Sequence, residues 1–508
     1  MTSDKEILST IPDSHVESTD TEKESVSKGA YIDISIEEVS KEENADLESL
    51  SSIDNNKWYN KSKTIFGYKL LPYSQGRSQI LMVSFVVFMI VGMSSAIGGL
   101  GAGGTLNATV VNNSNVAVYT AFAFLAFFCG PICNKIGVRA TLCFGGWGYA
   151  LYYGSLLCYN KTGNGTFVIA SGAIEGLCAA FLWTAQGNIM LSYSEEENKG
   201  KNIARFWAIF QMGNVIGSLV PLIQTIHSTS ETLADSTYIA FIVIISTGAI
   251  MATMLLPTRL VRKADGTRVI LKKNPTWKSE MKALWTVLKL QPWFIGMFPM
   301  FWSSNWFMTY ESNDYNLVQF NLRTRSLNNL MFAIFEVLGA FSAGYLLDSR
   351  FCSRKTMARI GWGLLMGFTL IIWGGGLKSQ LRYTRQTVDD DELSLLDWTS
   401  SGYGAYLVLY MLYGAFDAWW QTYSYWVMGS LTNSSRKLAI YTGFYKSIQS
   451  AGAAVVWRLD ALDTPYMAMF GSTWGLLLGS LLIASPVIYS RILEETDPDD
   501  DIKFTEND

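Results

Sequence analysis

One recurrence constrains this chain more than any other feature. Between Arg77 and Ile492 apolar stretches of roughly 20 residues follow one another, each about as long as a helix must be to cross a hydrocarbon core of about 30 Å. About twelve can be placed, at 80–102, 115–134, 140–158, 167–189, 205–226, 237–256, 291–310, 327–347, 359–377, 402–428, 438–457 and 466–489. Lipid offers no partner to backbone N–H and C=O groups, so only helices or closed barrels cross it. These runs lack the period-2 alternation of barrel strands. The expected fold is an all-α membrane protein of about twelve transmembrane helices, with its chemistry confined to the few polar side chains that point inward.

The formal charge of −4 hides an asymmetry. Residues 1–56 hold 15 Asp or Glu against 4 Lys, and residues 494–508 hold 8 acids against Lys503, which leaves the body strongly basic. Tails of this composition cannot bury a core and are expected to be disordered, serving solvation, phosphorylation or sorting. The start, MTSDKEILSTIPDSHVE, has no apolar core of the kind a signal peptide carries, so the first span is expected to direct insertion. The six Cys lie mostly in or beside spans without metal or redox spacing and read as small core residues.

Lys and Arg set the orientation. The 257–290 loop carries Arg259, Arg262, Lys263, Arg268, Lys272, Lys273, Lys278, Lys282 and Lys289, and the 348–358 loop carries Arg350, Arg354 and Lys355. The 103–114 and 227–236 loops carry neither residue. Both basic loops, and with an even span count both termini, are therefore expected in the cytoplasm. Sequons at Asn107, Asn112, Asn160 and Asn164 then fall outside, as candidate N-glycosylation sites, whereas those at Asn60 and Asn433 fall inside. Arg323 and Arg325, in the expected outer 7–8 loop, run against the rule.

The long basic loop divides the spans six and six, and the halves echo each other. Gly130, Asn134, Gly137 and Arg139 follow span two, and Gly344, Asp348 and Arg350 follow span eight at an offset of 214. Further on, Gln186 matches Gln421, Gln211 matches Lys446, Asn214 matches Gln449 and Gly217 matches Gly452, at an offset of 235. The longer 9–10 loop supplies most of the change in offset. Two six-helix repeats enclosing a site near the midplane are a common transporter plan. The expected organisation is a 1–76 acidic tail, a 77–256 bundle, a 257–290 linker, a 291–492 bundle and a 493–508 acidic tail.

The two post-span segments resemble the loop signature of the major facilitator superfamily, Gly-x-Leu-x-Asp followed by basic residues. The second copy is intact at Gly344, Leu346 and Asp348, whereas the first has Asn134 in place of the acid. Gly92-Met-Ser-Ser-Ala-Ile-Gly98-Gly99-Leu-Gly101-Ala-Gly103-Gly104, then Trp183-Thr-Ala-Gln-Gly187, Ser192-Tyr193, Lys199-Gly200 and Ser304-Asn-Trp-Phe307, resemble the Unc-ninety-three-like (uncoordinated-type) family, its fungal branch most. The resemblance covers about 75–490. It implies a major-facilitator-type fold and no particular substrate, since relatives include trafficking chaperones and channel regulators. It also predicts Pro and Asn near Val91 and Ser95, where this chain has neither.

Ionisable groups within spans cost several kcal/mol unless partnered or hydrated, so they are the candidates for function. Glu175, Glu336, Asp417 and Lys446 lie in spans four, eight, ten and eleven, with Glu311 and Arg458 closing spans seven and eleven. Asp417 and Lys446 are expected to form a buried pair, either structural or a proton- or substrate-coupled switch. Glu175 and Glu336 are candidates for carrying protons or meeting a cationic solute, with bundle packing as the competing reading. Gln186, Asn188, Gln211, Asn214, Asn305, Gln421 and Gln449 are costly in lipid and should line the cavity, walled by Trp183, Trp306, Trp419, Trp420, Tyr423 and Tyr425. Gly99-x-Gly101-x-x-Gly104 formally fits a dinucleotide fingerprint, yet it has no strand–helix–strand context. Close helix packing or an outer gate is expected there instead. No nucleophile constellation, metal ligand set or cofactor motif is visible, so an enzyme is not expected, nor a nucleic-acid partner.

Two functions fit. The first is a secondary transporter or facilitator of a small solute, coupled if at all to a proton or cation through Glu175, Glu336 or Asp417. The second is a transport-dead accessory protein that binds other membrane proteins and controls their traffic or gating. Plasma membrane, vacuole and endoplasmic reticulum are all compatible with the chain.

Overall fold

The computed structural model describes residues 57–62, 64–65, 68–104, 107–193, 199–227, 232–263, 277–349, 351–390, 392–432 and 435–494. Arg350 of the second loop signature, Arg268, Lys272 and Lys273 of the linker, the Asn433 sequon, and residues 1–56 and 495–508 of the acidic tails lie outside the described residues. The chain divides into two compact units, Met1–Ser62 and Lys63–Asp508. Of the first, a 3-10 turn at Trp58–Asn60 is described. All that follows concerns the second.

A hairpin of β1 (Thr64–Ile65) and β2 (Tyr68–Lys69) precedes the long helices. Then come α1 (Gly76–Gly98), α2 (Ala108–Ile136), α3 (Val138–Thr162), α4 (Gly165–Tyr193), α5 (Lys199–Thr225) and α6 (Asp235–Ala252). The linker ends in α7 (Trp277–Leu290). The seventh span, α8 (residues 292–317), is broken, and α9 (Leu322–Leu347) and α10 (Arg354–Gln380) follow it. A short α11 (Arg385–Asp389) sits in the 9–10 connection before α12 (Tyr403–Leu431), α13 (Ser435–Ala461) and α14 (Tyr466–Arg491). Among the described residues, seven helices are long and apolar enough to cross a membrane: α1, α4, α5, α6, α9, α10 and α14. Of the remaining long segments, α2, α8, α12 and α13 carry most of the buried polar groups described below.

Two expected spans need correction. The sequence places the second from 115, but α2 begins at Ala108, where Asn107 caps it by accepting a hydrogen bond from Val110 N at 3.1 Å. Asn112 therefore lies inside a helix. The seventh was placed as a plain helix, but α8 passes from a 3-10 turn (Pro292–Met297) through Phe298–Ser303 and Trp306–Thr309 into a π-helical stretch, Tyr310–Leu317. Pro292 and Pro299 donate no backbone hydrogen bond, and Ser303 Oγ and Ser304 Oγ donate back to Pro299 O and Met300 O at 2.8 and 2.9 Å. In α1, where the resemblance predicts a proline, a π turn at Phe88–Gly92 interrupts the ladder instead.

Because successive spans reverse direction, the connections after α1, α3, α5, α8, α10 and α13 gather at one face, the loop face. Those after α2, α4, α6, α9 and α12 gather at the opposite, linker face. Within the first six spans α3 packs on α4 and α6, and α2 on α4; within the last six α9 packs on α12, and α10 on α14. The sequences join through α2 against α13 and α5 against α9. The offset of 235 has a counterpart in the packing. A Cβ on Gly217 would lie 2.8 Å from Ala96 Cβ, and one on Gly452 would run into Trp302 O. Thus α5 approaches α1 as α13 approaches α8, at matching glycines.

Candidate functional site

Glu336 lies midway along α9 and is reached from the other half. Gln211 Nε2 donates to its Oε1 at 2.6 Å, and Asn214 Nδ2 donates to its Oε2 at 3.2 Å. Residues three apart share a helix face, so α5 presents both amides together. Each oxygen of a carboxylate from the last six spans is held by an amide from the first six.

Asp417 and Lys446, expected as a direct pair, make no ion pair; amides stand between them. Lys446 Nζ donates to Gln449 Oε1 at 3.0 Å and lies over the rings of Tyr445 and Tyr425 at 5.2 and 5.7 Å. Gln449 Nε2 donates to Asn305 Oδ1 at 2.8 Å and Gln421 Oε1 at 3.1 Å. Gln421 Nε2 donates in turn to Asp417 Oδ1 at 3.2 Å and Ser304 O at 2.9 Å. The ammonium and carboxylate are thus linked through a relay in which each amide donates and accepts. Lys446 and Gln449 occupy positions on α13 that match Gln211 and Asn214 on α5, so the same register serves both halves.

The other expected residues are placed less centrally. Glu175 is buried on α4 among Tyr119, Tyr149, Tyr152 and Tyr153. Gln186 is buried nearer the linker face, and its match Gln421 alone joins the relay. Asn188 Nδ2 donates to Cys133 Sγ at 3.7 Å. Of the aromatic walls, Trp306, Trp419 and Trp420 donate to the hydroxyls of Ser472, Ser342 and Ser304, which fixes their rings as packing elements. Gly344 and Asp348, at the end of α9, line a shallow hollow with Tyr345, Ser349 and Phe351. Gly137, with φ of 88°, turns the chain from α2 into α3 beside the exposed Arg139. Gly130 and Asn134 lie on α2.

A polar seam at the loop face was not foreseen. Asp460 of α13 accepts from Asn112 Nδ2 of α2 at 2.7 Å, from Asn313 Nδ2 of α8 at 2.8 Å and from Arg385 Nη2 at 2.5 Å. Asn313 also donates to Asn112 Oδ1 at 2.7 Å, and Asp314 lies 3.6 Å from Arg385. Burial pulls the Arg385 guanidinium down, but the charges of Asp314 and Asp460 outweigh it and raise its pKa. Asn112 is only 1% exposed, which rules it out as a glycan acceptor in this fold; Asn107, Asn160 and Asn164 are exposed. The glycine run closes the same seam. Gly101 has a φ of 77°, and a Cβ there would lie 2.5 Å from Ser312 O. Asn329 Nδ2 donates to Ala96 O at 2.7 Å, and Asn316 Nδ2 to Gly99 O at 3.1 Å. The two outer arginines are absorbed locally, since Arg323 donates twice to Asp397 at 2.7 Å and Arg325 is buried. The residues of the seam lay in segments read as loops and sequons, so only the rarity of buried acid–arginine–amide sets would have flagged them.

A family model described as "Ion channel regulatory protein UNC-93" matches residues 105–484. The chain belongs to the UNC-93 family. An UNC93-like protein of Schizosaccharomyces pombe is 46% identical over 468 residues, 92% of this chain and 93% of that one. UNC93-like protein 1 of Arabidopsis thaliana is 37% identical over 429 residues, 84% of this chain and 93% of that one. Among solved structures, the nucleoside transporter NupG aligns with a TM-score of 0.54 at 12% identity, covering 82% of this chain and all of that one. The peptide transporter POT aligns at 0.53 and 15%, covering 87% of this chain and all of that one. A D-xylose-proton symporter aligns at 0.53 and 12%, covering 83% and 98%. At these identities the likeness shows the fold: a multi-pass helical membrane protein of two six-helix pseudo-repeats, of the major facilitator type.

Proposed function

We propose that this UNC-93 family member is a secondary transporter or facilitator that moves a small polar or amphiphilic solute by alternating access. The observation that carries this reading is the grip of Gln211 and Asn214 on Glu336. A mid-membrane carboxylate held by the opposite half is a contact that must break and reform if the halves rock about a central site. In the state described here the loop face is shut by the seam around Asp460 and Gly101. Residues 77–256 and 291–492 are the two moving bundles, joined by the 257–290 linker, with both termini and the linker face in the cytoplasm. Asn107, Asn160 and Asn164 carry glycans if the loop face is lumenal or extracellular. The Asp417–Gln421–Gln449–Lys446 relay lines the solute path.

The description "Ion channel regulatory protein" favours a second reading, in which the same chain regulates the traffic or gating of other membrane proteins. Metabolite profiling of cells lacking and overproducing the protein, followed by uptake of each changed solute into proteoliposomes, separates the two. Saturable uptake that Asp417→Asn abolishes supports transport. No flux for any changed solute, with mislocalised membrane proteins in the deletion strain, supports the accessory role and overturns the first.

A further inference from the structure

We propose that Glu311 is a proton-binding site of the membrane core, loaded while the loop face is closed. The claim that its proton drives flux rests on the transport reading above; the site itself rests on geometry.

Glu311 lies in the π-helical end of α8 and is 2% exposed. Neither carboxyl oxygen has a hydrogen-bond partner. Asp314, in the seam, also lacks a hydrogen-bond donor, but it has the Arg385 guanidinium 3.6 Å away as counter-charge. Glu336 takes two amides, Asp417 takes Gln421, and Asp460 takes two amides and a guanidinium. An ionised carboxylate removed from water with no partner is so costly that it binds a proton or a cation instead.

The groups around it decide which. Asp417 on α12 and Glu336 on α9 are the charges that act on Glu311, and both are acidic. Tyr410 and Tyr413 of α12 face it as neutral phenols. The ammonium of Lys446 on α13 is committed to Gln449. Neither flanking carboxyl can serve Glu311 as a counter-charge. Among the described residues no cluster of His, Cys, Asp and Glu is arranged to hold a metal ion. A proton is the ligand that fits.

The location ties loading to conformation. Ser312, the next residue, presents its carbonyl to Gly101 so closely that a Cβ there would lie 2.5 Å away. Parting the halves at the loop face lifts Gly101 from Ser312 and lets water reach the turn that carries Glu311. The acid then gives its proton to water and remains as a hydrated carboxylate; closure reverses both changes. A π-helical insertion at such a point is a recurrent feature of functional helices.

The test needs no solute. Infrared spectra of the full-length protein in lipid nanodiscs at neutral pH should show a protonated-carboxyl carbonyl band that shifts in deuterated water. Glu311→Gln should remove one component of that band, while Glu336→Gln and Asp417→Asn leave that component in place. A native-minus-Glu311→Gln difference spectrum with no protonated-carboxyl component overturns the proposal. Glu311→Gln preserves shape and neutrality, so it should fold; if it does not, Glu311→Asp must show a displaced band, and its absence overturns the site. Flux separates the two claims. With a solute in hand, Glu311→Gln should exchange it across the membrane yet fail to accumulate it against a pH gradient. Accumulation at the native level sinks the coupling role with transport intact. A Glu311 band in a protein that moves nothing leaves the site standing and sinks transport.

Discussion

At the scale of single residues, glycine matches report the repeat better than charges do. Gly452→Ala would drive a methyl into the Trp302 carbonyl. Overpacking of this kind costs about 1–3 kcal/mol. We expect a clear fall in melting temperature for Gly452→Ala and none for Gly443→Ala, whose Cβ would meet nothing within 4 Å; equal melting of the two would contradict the packing described. Asp397 gives a pH prediction. Burial pushes its carboxyl up, but hydrogen bonds from Arg323, Thr399 and Asn321 outweigh that and hold it well below the ordinary carboxylate range. A depressed carboxyl contributes stability above its unfolded pKa and loses it as pH falls through the folded one. The 381–402 connection should therefore resist proteolysis at neutral pH and loosen only in strong acid. Asp397→Asn should remove that dependence and admit cleavage at neutral pH. Glu336, Asp417 and the amides were legible because each is costly in lipid. Glu311 was visible too, but as a span-closing residue, because a π-helical extension past Tyr310 leaves no mark in hydropathy.

At the scale of elements, hydropathy located the spans well and failed where polar helices begin. Asn112 was read as a loop sequon because α2 opens with a polar turn that gains its partners only from α8 and α13. Two predictions follow from its burial. Ser114→Ala, which destroys that sequon, should leave the glycoform pattern unchanged, whereas Asn164→Gln should remove one glycan if the loop face is lumenal or extracellular. Asn112→Ala leaves Asp460 short of a donor across the halves and should weaken the loop-face closure. Cysteines introduced at Asn113 and Arg458, whose native side chains meet tip to tip at 2.6 Å, should be bridged by a short bifunctional thiol reagent in the native protein and less in Asn112→Ala. Unchanged cross-linking would show that the Asp460 seam does not hold this face. The expected Asp417–Lys446 pair failed for a related reason. Sequence fixes the depth of each residue on its helix but not the rotation that interposes Gln421 and Gln449.

At the scale of the whole molecule, twelve spans, the six-and-six division and the family were all readable. The periodic apolar length is imposed by the bilayer, and the repeat by one packing register used twice. What no single helix discloses is the state of the assembly: which face is closed, and by which contacts across halves that are far apart in the chain. Alternating access makes a demand on both faces at once. Spin labels at Asn113 and Arg458 report the loop face, and labels at Lys135 and Phe351 report the linker face, in a background with the exposed Cys352 replaced. Pulsed-resonance distances in nanodiscs, with and without Asn112→Ala, are the measurement to make. Opposite movements are expected, with the loop-face distance lengthening as the linker-face distance shortens. A change confined to the loop face, or fixed distances at both, would describe a rigid scaffold and contradict a rocking transporter.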